Sequence, residues 1–362
     1  MEKDPSRKIS KIEHPGTILQ KAIEEAGMSQ HELAVRTGVS DKHVSTIING
    51  AKGISASYAR KLEYALGPEK GNWAKLQTEY DLEMIRLQEE NNIKEEEIAV
   101  LKNLNEILPH FLEKGFMHND CGDAEKVLQL RSLLRVSDLS LIPQISYNAA
   151  YRLQISKNTN IDPYVLFAWQ RLCELEMEKN MPKRNFSLEK LRNIILEIRK
   201  QMRLKINAAL ERIRELLAEC GIGFAVVKHF KGAPVQGFIK KIRENKVILC
   251  LTTRGKGIDR FWFSLFHEIG HILNGDFDLR FVDFDSVKSE IEEKADIFAR
   301  DTIIPPDAYR QWIARHIYES LEEIRRFAES IDVPHWAVIG RLHKDDWLGW
   351  HVFADQIPAF SN

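Results

Sequence analysis

Apolar positions recur every three or four residues along most of the chain, so helices should dominate it. In SQHELAVRTG, Leu33, Ala34 and Thr37 share one helical face. Ser29 stands at the N-cap position, Glu32 completes a capping box and Gly38 supplies the turn that follows. Ser40 then caps SDKHVSTIING, in which Val44, Ile47 and Ile48 face inward. A charged stretch near Asp81–Leu108 predicts one long helix. Met84, Leu87, Asn91, Lys94, Ile98, Leu101, Asn105 and Leu108 take a/d spacing within it, which suits either the seam of a two-stranded coiled coil or one amphipathic helix docking on its own chain. Amphipathic segments such as PYVLFAWQRLCELEMEK continue to about Met202. The pattern then shortens: Gly223–His229, Gly237–Ile242 and Val247–Thr252 are β-branched runs bounded by Gly, Pro or Asn, and read as strands. Ile258–Leu273 predicts a helix stopped by Asn274-Gly275, and IEEKADIFARDTIIP predicts another.

These elements predict a mostly α chain with an α+β C-terminal domain holding a small antiparallel or mixed sheet. Four regions follow: a five-helix-type bundle at residues 1–80, a charged helical linker at 81–108, a helical middle region at 109–202, and the mixed domain at 203–362. With 52 basic against 53 acidic residues, no field of the whole protein attracts nucleic acid or membrane, so any DNA contact must be local. Cys121, Cys173, Cys220 and Cys250 form no CxxC pair, which argues against a thiolate metal site and a secreted disulfide framework. MEKDPSRKIS has no apolar signal core, and no apolar run is long enough to span a bilayer. A cytoplasmic protein without a membrane partner is the expectation.

The side chains left outside the second short helix are Asp41, Lys42, His43, Ser45, Thr46 and Asn49, all able to reach base edges or phosphates. Gln30 opens the preceding helix. From Arg36 to Lys61 the chain carries Arg36, Lys42, Lys52, Arg60 and Lys61 against Asp41 alone, a local basic patch. The competing reading is a bundle used only for protein contacts. HPGTILQKAIEEAGMSQHELAVRTGVSDKHVSTIINGAKGISASYARKLEYALG resembles the Xre-type helix-turn-helix of the HigA antitoxin family, and NWAKLQTEYDL resembles that family's tail. The resemblance covers about His14–Leu82. It implies binding of a double-stranded operator as a homodimer, often autoregulation, and sometimes neutralisation of a cognate toxin.

The second constellation is His267-Glu268-Ile269-Gly270-His271. Residues four apart share a helical face, so His267 and His271 can present two imidazoles to one ion. Neutral nitrogen donors suit Zn²⁺, and Glu268 beside them is placed to act as general base on water. Asn274 and Phe277 stand where the metzincin extension would put Gly and His, which excludes that branch. A third ligand is expected from the next helix. With Ile291, Ala295, Phe298, Ala299 and Ile303 as its apolar residues, Glu292 falls inside the buried arc while Glu290 and Glu293 project away. A carboxylate there needs a cation or partner. Asp296, one turn on, is a candidate to hold the far nitrogen of a ligating histidine.

HEIGHILNG followed by ExxADxFARDTIIP resembles the ImmA/IrrE metallopeptidases, on Glu292, Ala295, Asp296, Phe298, Ala299 and Pro305. The resemblance covers about Leu204–Trp347 and departs at Lys294, where many members carry a second glutamate. It implies a zincin-like domain and zinc-dependent cleavage of a DNA-binding repressor, or a stress-response role. The leading expectation is therefore a regulator with an operator-binding head and a zinc endopeptidase acting on a protein: a repressor, a toxin or itself. The alternative is a HigA-like antitoxin or repressor whose metallopeptidase fold only senses or binds. Tyr309, His335 and His343 are candidates to stabilise an oxyanion, and the sequence does not choose among them.

Overall fold

The computed structural model describes residues 13–67, 72–119, 121–145, 161–178, 181–242, 245–252, 257–276, 281–284 (backbone only) and 290–360. They form two compact units, Met1–Lys94 and Glu95–Asn362.

The described residues of the first unit form the helices α1 (Pro15–Glu25), α2 (Gln30–Thr37), α3 (Asp41–Ile48), α4 (Ala56–Leu66) and α5 (Trp73–Asn91). Its core joins Leu19, Ile23, Leu33, Val44, Ile47, Leu62 and Trp73. The expected caps form: Ser29 Oγ accepts from the Glu32 amide at 3.0 Å and Ser40 Oγ from the His43 amide at 3.2 Å. Gly38 takes φ 64°, a left-handed turn that a side chain would strain, and this reverses the chain between α2 and α3. The long helix α5 is tied into the bundle by Gln77. Its Oε1 accepts from the Ile54 amide and its Nε2 donates to Asp81, both at 2.8 Å.

The charged stretch expected as one helix over Asp81–Leu108 is divided. α5 stops at Asn91, and the next helices are α6 (Glu95–Asn103) and α7 (Leu108–Glu113), in the second unit. The buried stripe there is Glu97, Val100, Leu104 and Ile107, each one position before an expected seam residue. That stripe packs within its own unit, and the expected seam residues Ile98, Leu101 and Leu108 lie half-buried beside it. Glu97 is fully buried and meets Arg131 of α8 (Asp123–Leu134) in a two-point bridge at 2.9 and 2.5 Å. It also accepts from the Leu139 amide at 2.9 Å.

Further along the second unit come α9 (Pro163–Glu178), α10 (Leu188–Lys200) and α11 (Ile206–Glu219). The strands are β1 (Ile222–Val227), β2 (Val235–Ile242), β3 (Lys246–Thr252) and β4 (Phe281–Phe284), in the order β1-β3-β2-β4. β1 runs parallel to β3; the β3–β2 and β2–β4 pairs are antiparallel, and the β2–β4 register shifts between Val235 and Gly237. The sheet is thus mixed, and β4 is a four-residue strand that the sequence pattern did not announce. β1 and β3 are apolar without alternation because both sheet faces are covered. On one face Ile222, Phe224, Ile239, Leu249 and Leu251 join the main core with α10, α11 and α12 (Ile258–Asn274). On the other face lies α9, with Trp169 6.0 Å from the Phe238 ring and Glu174 2.5 Å from Lys240 Nζ.

The middle region is therefore not a separate module. Its α9 and α10 wall the sheet, and the main core begins at Leu191, ahead of the expected boundary at residue 203. α13 (Glu290–Ile303), α14 (Pro306–Ile313), α15 (Leu321–Ser330) and α16 (His335–Lys344) complete the unit. Among the described residues no helix is long and apolar enough to cross a membrane.

The buried bridge sets a stability test. Arg131→Ala leaves the Glu97 carboxylate buried without its cation, which should cost about 3–5 kcal/mol in urea unfolding. Arg326→Ala, which removes an exposed pair with Glu323 (Arg326 64% exposed), should cost less than about 1 kcal/mol. Equal losses would show that Glu97 finds another partner.

Candidate metal centre and nucleic-acid face

α12 presents His267 and His271 on one face, both buried, at 6% and 0% exposure. α13 crosses close to it because Gly270 has no side chain. A Cβ there would stand 3.2 Å from Ala295 Cα and 3.1 Å from the Phe298 ring. This approach brings Glu292 of α13 to the imidazoles. His267 Nε2 lies 3.1 Å from Glu292 Oε2 and 3.0 Å from His271 Nε2, and His271 Nε2 lies 3.5 Å from Glu292 Oε2.

These three atoms fit a zinc ion. Donors bonded to zinc at about 2.0–2.1 Å in tetrahedral geometry stand about 3.3 Å apart, and the three separations observed are 3.0, 3.1 and 3.5 Å. The cluster also favours positive charge. Burial pushes the Glu292 carboxyl up, but hydrogen bonds from His267 and His271 outweigh it and hold it down to about 2. Burial acts against a charged His271, yet the Glu292 hydrogen bond and the Glu268 charge outweigh that and raise its pKa. A carboxylate held ionised against two imidazoles is the electrostatic setting of a cation site.

The far nitrogens are also held. His267 Nδ1 is 2.8 Å from Asp296 Oδ1, as expected from the sequence. His271 Nδ1 is 3.2 Å from Asp276 Oδ2, a partner that sequence reasoning missed. Its signal was local. Gly275 takes φ 82° at the end of α12, so the chain turns back and the Asp276 amide bonds the His271 carbonyl at 3.0 Å. Each imidazole thus has one nitrogen at the centre and the other on a carboxylate, which fixes ring orientation.

Glu268 is fully buried and packs against β2. Gly237 makes the space, since a Cβ at that position would overlap the Glu268 carboxylate. The helical wheel of α13 holds for Ala295, Ala299 and Ile303, but Ile291 is 46% exposed and lies off the buried face. Of the oxyanion candidates, His343 Nε2 bonds the Val352 carbonyl at 2.8 Å, and Tyr309 lies under Arg341 beside Trp312 and Phe327. Both are engaged in packing. His335 stands at the start of α16, with burial lowering its pKa, and no described contact joins it to the imidazole cluster.

On the head, α3 leaves Asp41, Lys42 and Asn49 exposed, and Lys52 follows, also exposed. Ser45, Thr46 and His43 are half-buried. Thr46 Oγ1 donates to the Lys42 carbonyl at 2.5 Å, Asn49 Nδ2 donates to Ser45 Oγ at 3.2 Å, and the His43 ring meets Tyr58 edge-on at 5.1 Å. Asp41 pairs with His31 at 3.0 Å, and Gln30 Nε2 donates to Gln20 at 3.1 Å. Lys42, Asn49 and Lys52 are exposed donors on this face, while the His43 ring rests edge-on against Tyr58.

Comparison with known proteins places this head. The helix-turn-helix family profile matches residues 19–69. The chain is 36% identical over 72 residues to virulence-associated protein I of Dichelobacter nodosus, covering 20% of this chain and 67% of that protein. It is 36% identical over 73 residues to virulence-associated protein A′ of the same organism, covering 20% of this chain and 64% of that protein. The matched face is the one carrying Lys42, Asn49 and Lys52. Through this N-terminal unit the chain belongs to the helix-turn-helix family of DNA-binding regulators.

Proposed function

We propose that this chain is a transcriptional regulator that binds an operator as a homodimer and carries a zinc-dependent endopeptidase in the same polypeptide. The observation that carries the second half is the convergence of His267, His271 and Glu292 at zinc-ligand separations, with Glu268 on the same helix. His267, His271 and Glu292 hold the ion, while Asp296 and Asp276 orient the two imidazoles. When bound, zinc acidifies water and polarises a peptide carbonyl. Glu268 takes the proton of the attacking water and returns it to the leaving amine. The substrate is a protein: a repressor, a cognate toxin or the chain itself. The exposed apolar residues Leu82, Met84 and Ile85 on α5 support assembly of two heads.

The complete enclosure of Glu268 favours a second reading, in which the metal shapes a sensing or partner-binding surface of an antitoxin-like repressor and no peptide is cut.

The metal assignment predicts about one zinc per purified chain. Glu292→Ala should lose most of it, whereas Glu293→Ala should keep it. Asp276→Asn should weaken zinc affinity about 10- to 100-fold through His271. Elemental analysis and competition with a chromophoric chelator measure both. Equal zinc in the two glutamate variants would remove Glu292 from the site.

Glu268→Gln separates the readings. It should retain zinc and DNA binding and lower cleavage about 10²- to 10⁴-fold. For self-cleavage, the exposed junction after α5, near Asn92–Lys94, is the expected cut. An N-terminal fragment of that length should appear under stress in the parent and be absent from the variant. Parent-like regulation by Glu268→Gln would support the sensing reading instead.

For the head, Lys42→Ala should weaken binding to most duplexes and flatten the salt dependence by about one phosphate contact. Ser45→Ala and Thr46→Ala should change sequence preference. Electrophoretic mobility shifts with three unaffected variants would mean that α3 does not read the groove.

A further inference from the structure

A cavity of roughly 440 Å³ lies in the second unit between α12, α13 and α16; His267, His271 and Glu292 do not line it, although Phe263 on its wall stands 6.0 Å ring to ring from His267. Its volume falls within the range of about 300–1,000 Å³ typical of small-molecule sites. The walls are apolar and aromatic: Trp262 and Phe263 from α12, Ile303 from α13, and Trp336 and Ala337 from α16. Its charged lining is mostly basic. Arg260, Arg300, Arg341 and Lys344 contribute cations, and Asp259 is the one acid. Arg341 is neutralised by Asp345 at 2.6 Å. Arg260, Arg300 and Lys344 make no ion pair among the described residues, and Arg300 Nε is buried without a hydrogen-bond partner. Asp259 sits beside Arg260 in sequence, and burial pushes its carboxyl up while the Arg260 charge acts against that.

This concentration of positive charge is not inherited from the chain, whose formal net charge is −1. Three cations beside an apolar space, one with a buried donor left over, present an unmet demand for negative charge. A phosphate or sulfate alone would satisfy the cations and leave the aromatic walls wet. A neutral hydrocarbon would fill the walls and leave the cations unanswered.

We propose that this cavity binds a small amphiphilic organic anion, with a carboxylate on Arg260, Arg300 and Lys344 and an aromatic or aliphatic body against Trp262, Phe263 and Trp336. The site reaches Phe263 and Ser264 on α12, one helical turn before His267 and Glu268. Its occupancy is independent of whether the metal centre cuts peptides.

The test is calorimetric titration of the full-length protein with 4-phenylbutyrate and with its alcohol, 4-phenylbutan-1-ol. The acid should bind saturably at about one per chain and at least about tenfold more tightly than the alcohol, the size expected for one charge-assisted contact. Lys344→Ala and Arg260→Ala, both exposed positions, should each weaken the acid several-fold and leave the alcohol unchanged. Ala337→Trp should fill the space and abolish binding of both while zinc content stays the same. Absence of saturable binding up to millimolar concentration would overturn the proposal, as would equal affinities for acid and alcohol. Unaltered acid binding in both cation variants would overturn it too.

Discussion

The second unit depends on one close approach, that of α12 to α13. Two helices ordinarily pack with side chains between them and axes 8–10 Å apart. Here Gly270 faces Ala295, and neither offers bulk, so the α13 backbone comes within van der Waals reach of α12. The carboxylate of Glu292 can then meet both imidazoles without leaving its helix. A larger residue at either position would move the third donor while leaving the two histidines in place. The small residues in HEIGH and ExxA thus set the geometry of this cluster as much as its donors do.

The sheet imposes the complementary constraint from the other side. Because β1 and β3 are apolar on both faces, they need cover on both. α9 supplies the second layer, and the result is a sheet held between helices rather than an open platform. That gives the long middle stretch a physical role, although it carries no chemistry of its own. Placing Gly237 of β2 under Glu268 depends on this support, since strand and helix must both be fixed for the space of one missing side chain to persist.

Much of this was legible in the sequence. The caps at Ser29 and Ser40, the turn at Gly38, the strands β1, β2 and β3 and the stop at Gly275 follow from local rules, and local structure obeys them. His267, His271, Glu292 and Asp296 were readable because helical spacing alone puts them on facing arcs. Gly237 was not, because its partner lies 31 residues away and only the fold joins them. Asp276 was missed for a subtler reason: it lies beyond the helix stop, where periodicity ends and a left-handed turn takes over. The charged stretch misled by one residue. Ile98, Leu101 and Leu108 run alongside Val100, Leu104 and Ile107, and the charge of Glu97 disguised the stripe that is buried.

The turn that carries Asp276 ties two processes together. The hydrogen bond that its carboxylate accepts from His271 Nδ1 can form only while Gly275 and Asp276 turn back over the helix end. An ion that draws electrons from His271 strengthens that bond, and a turn that stays closed makes His271 a better donor. The two equilibria are therefore linked, and linkage is reciprocal. An ion bound at this cluster would favour the closed turn by the same free energy that closing the turn adds to its affinity. The Gly275-Asp276 turn would thereby report on an ion bound at His271, and anything that opened or closed that turn would act on its affinity.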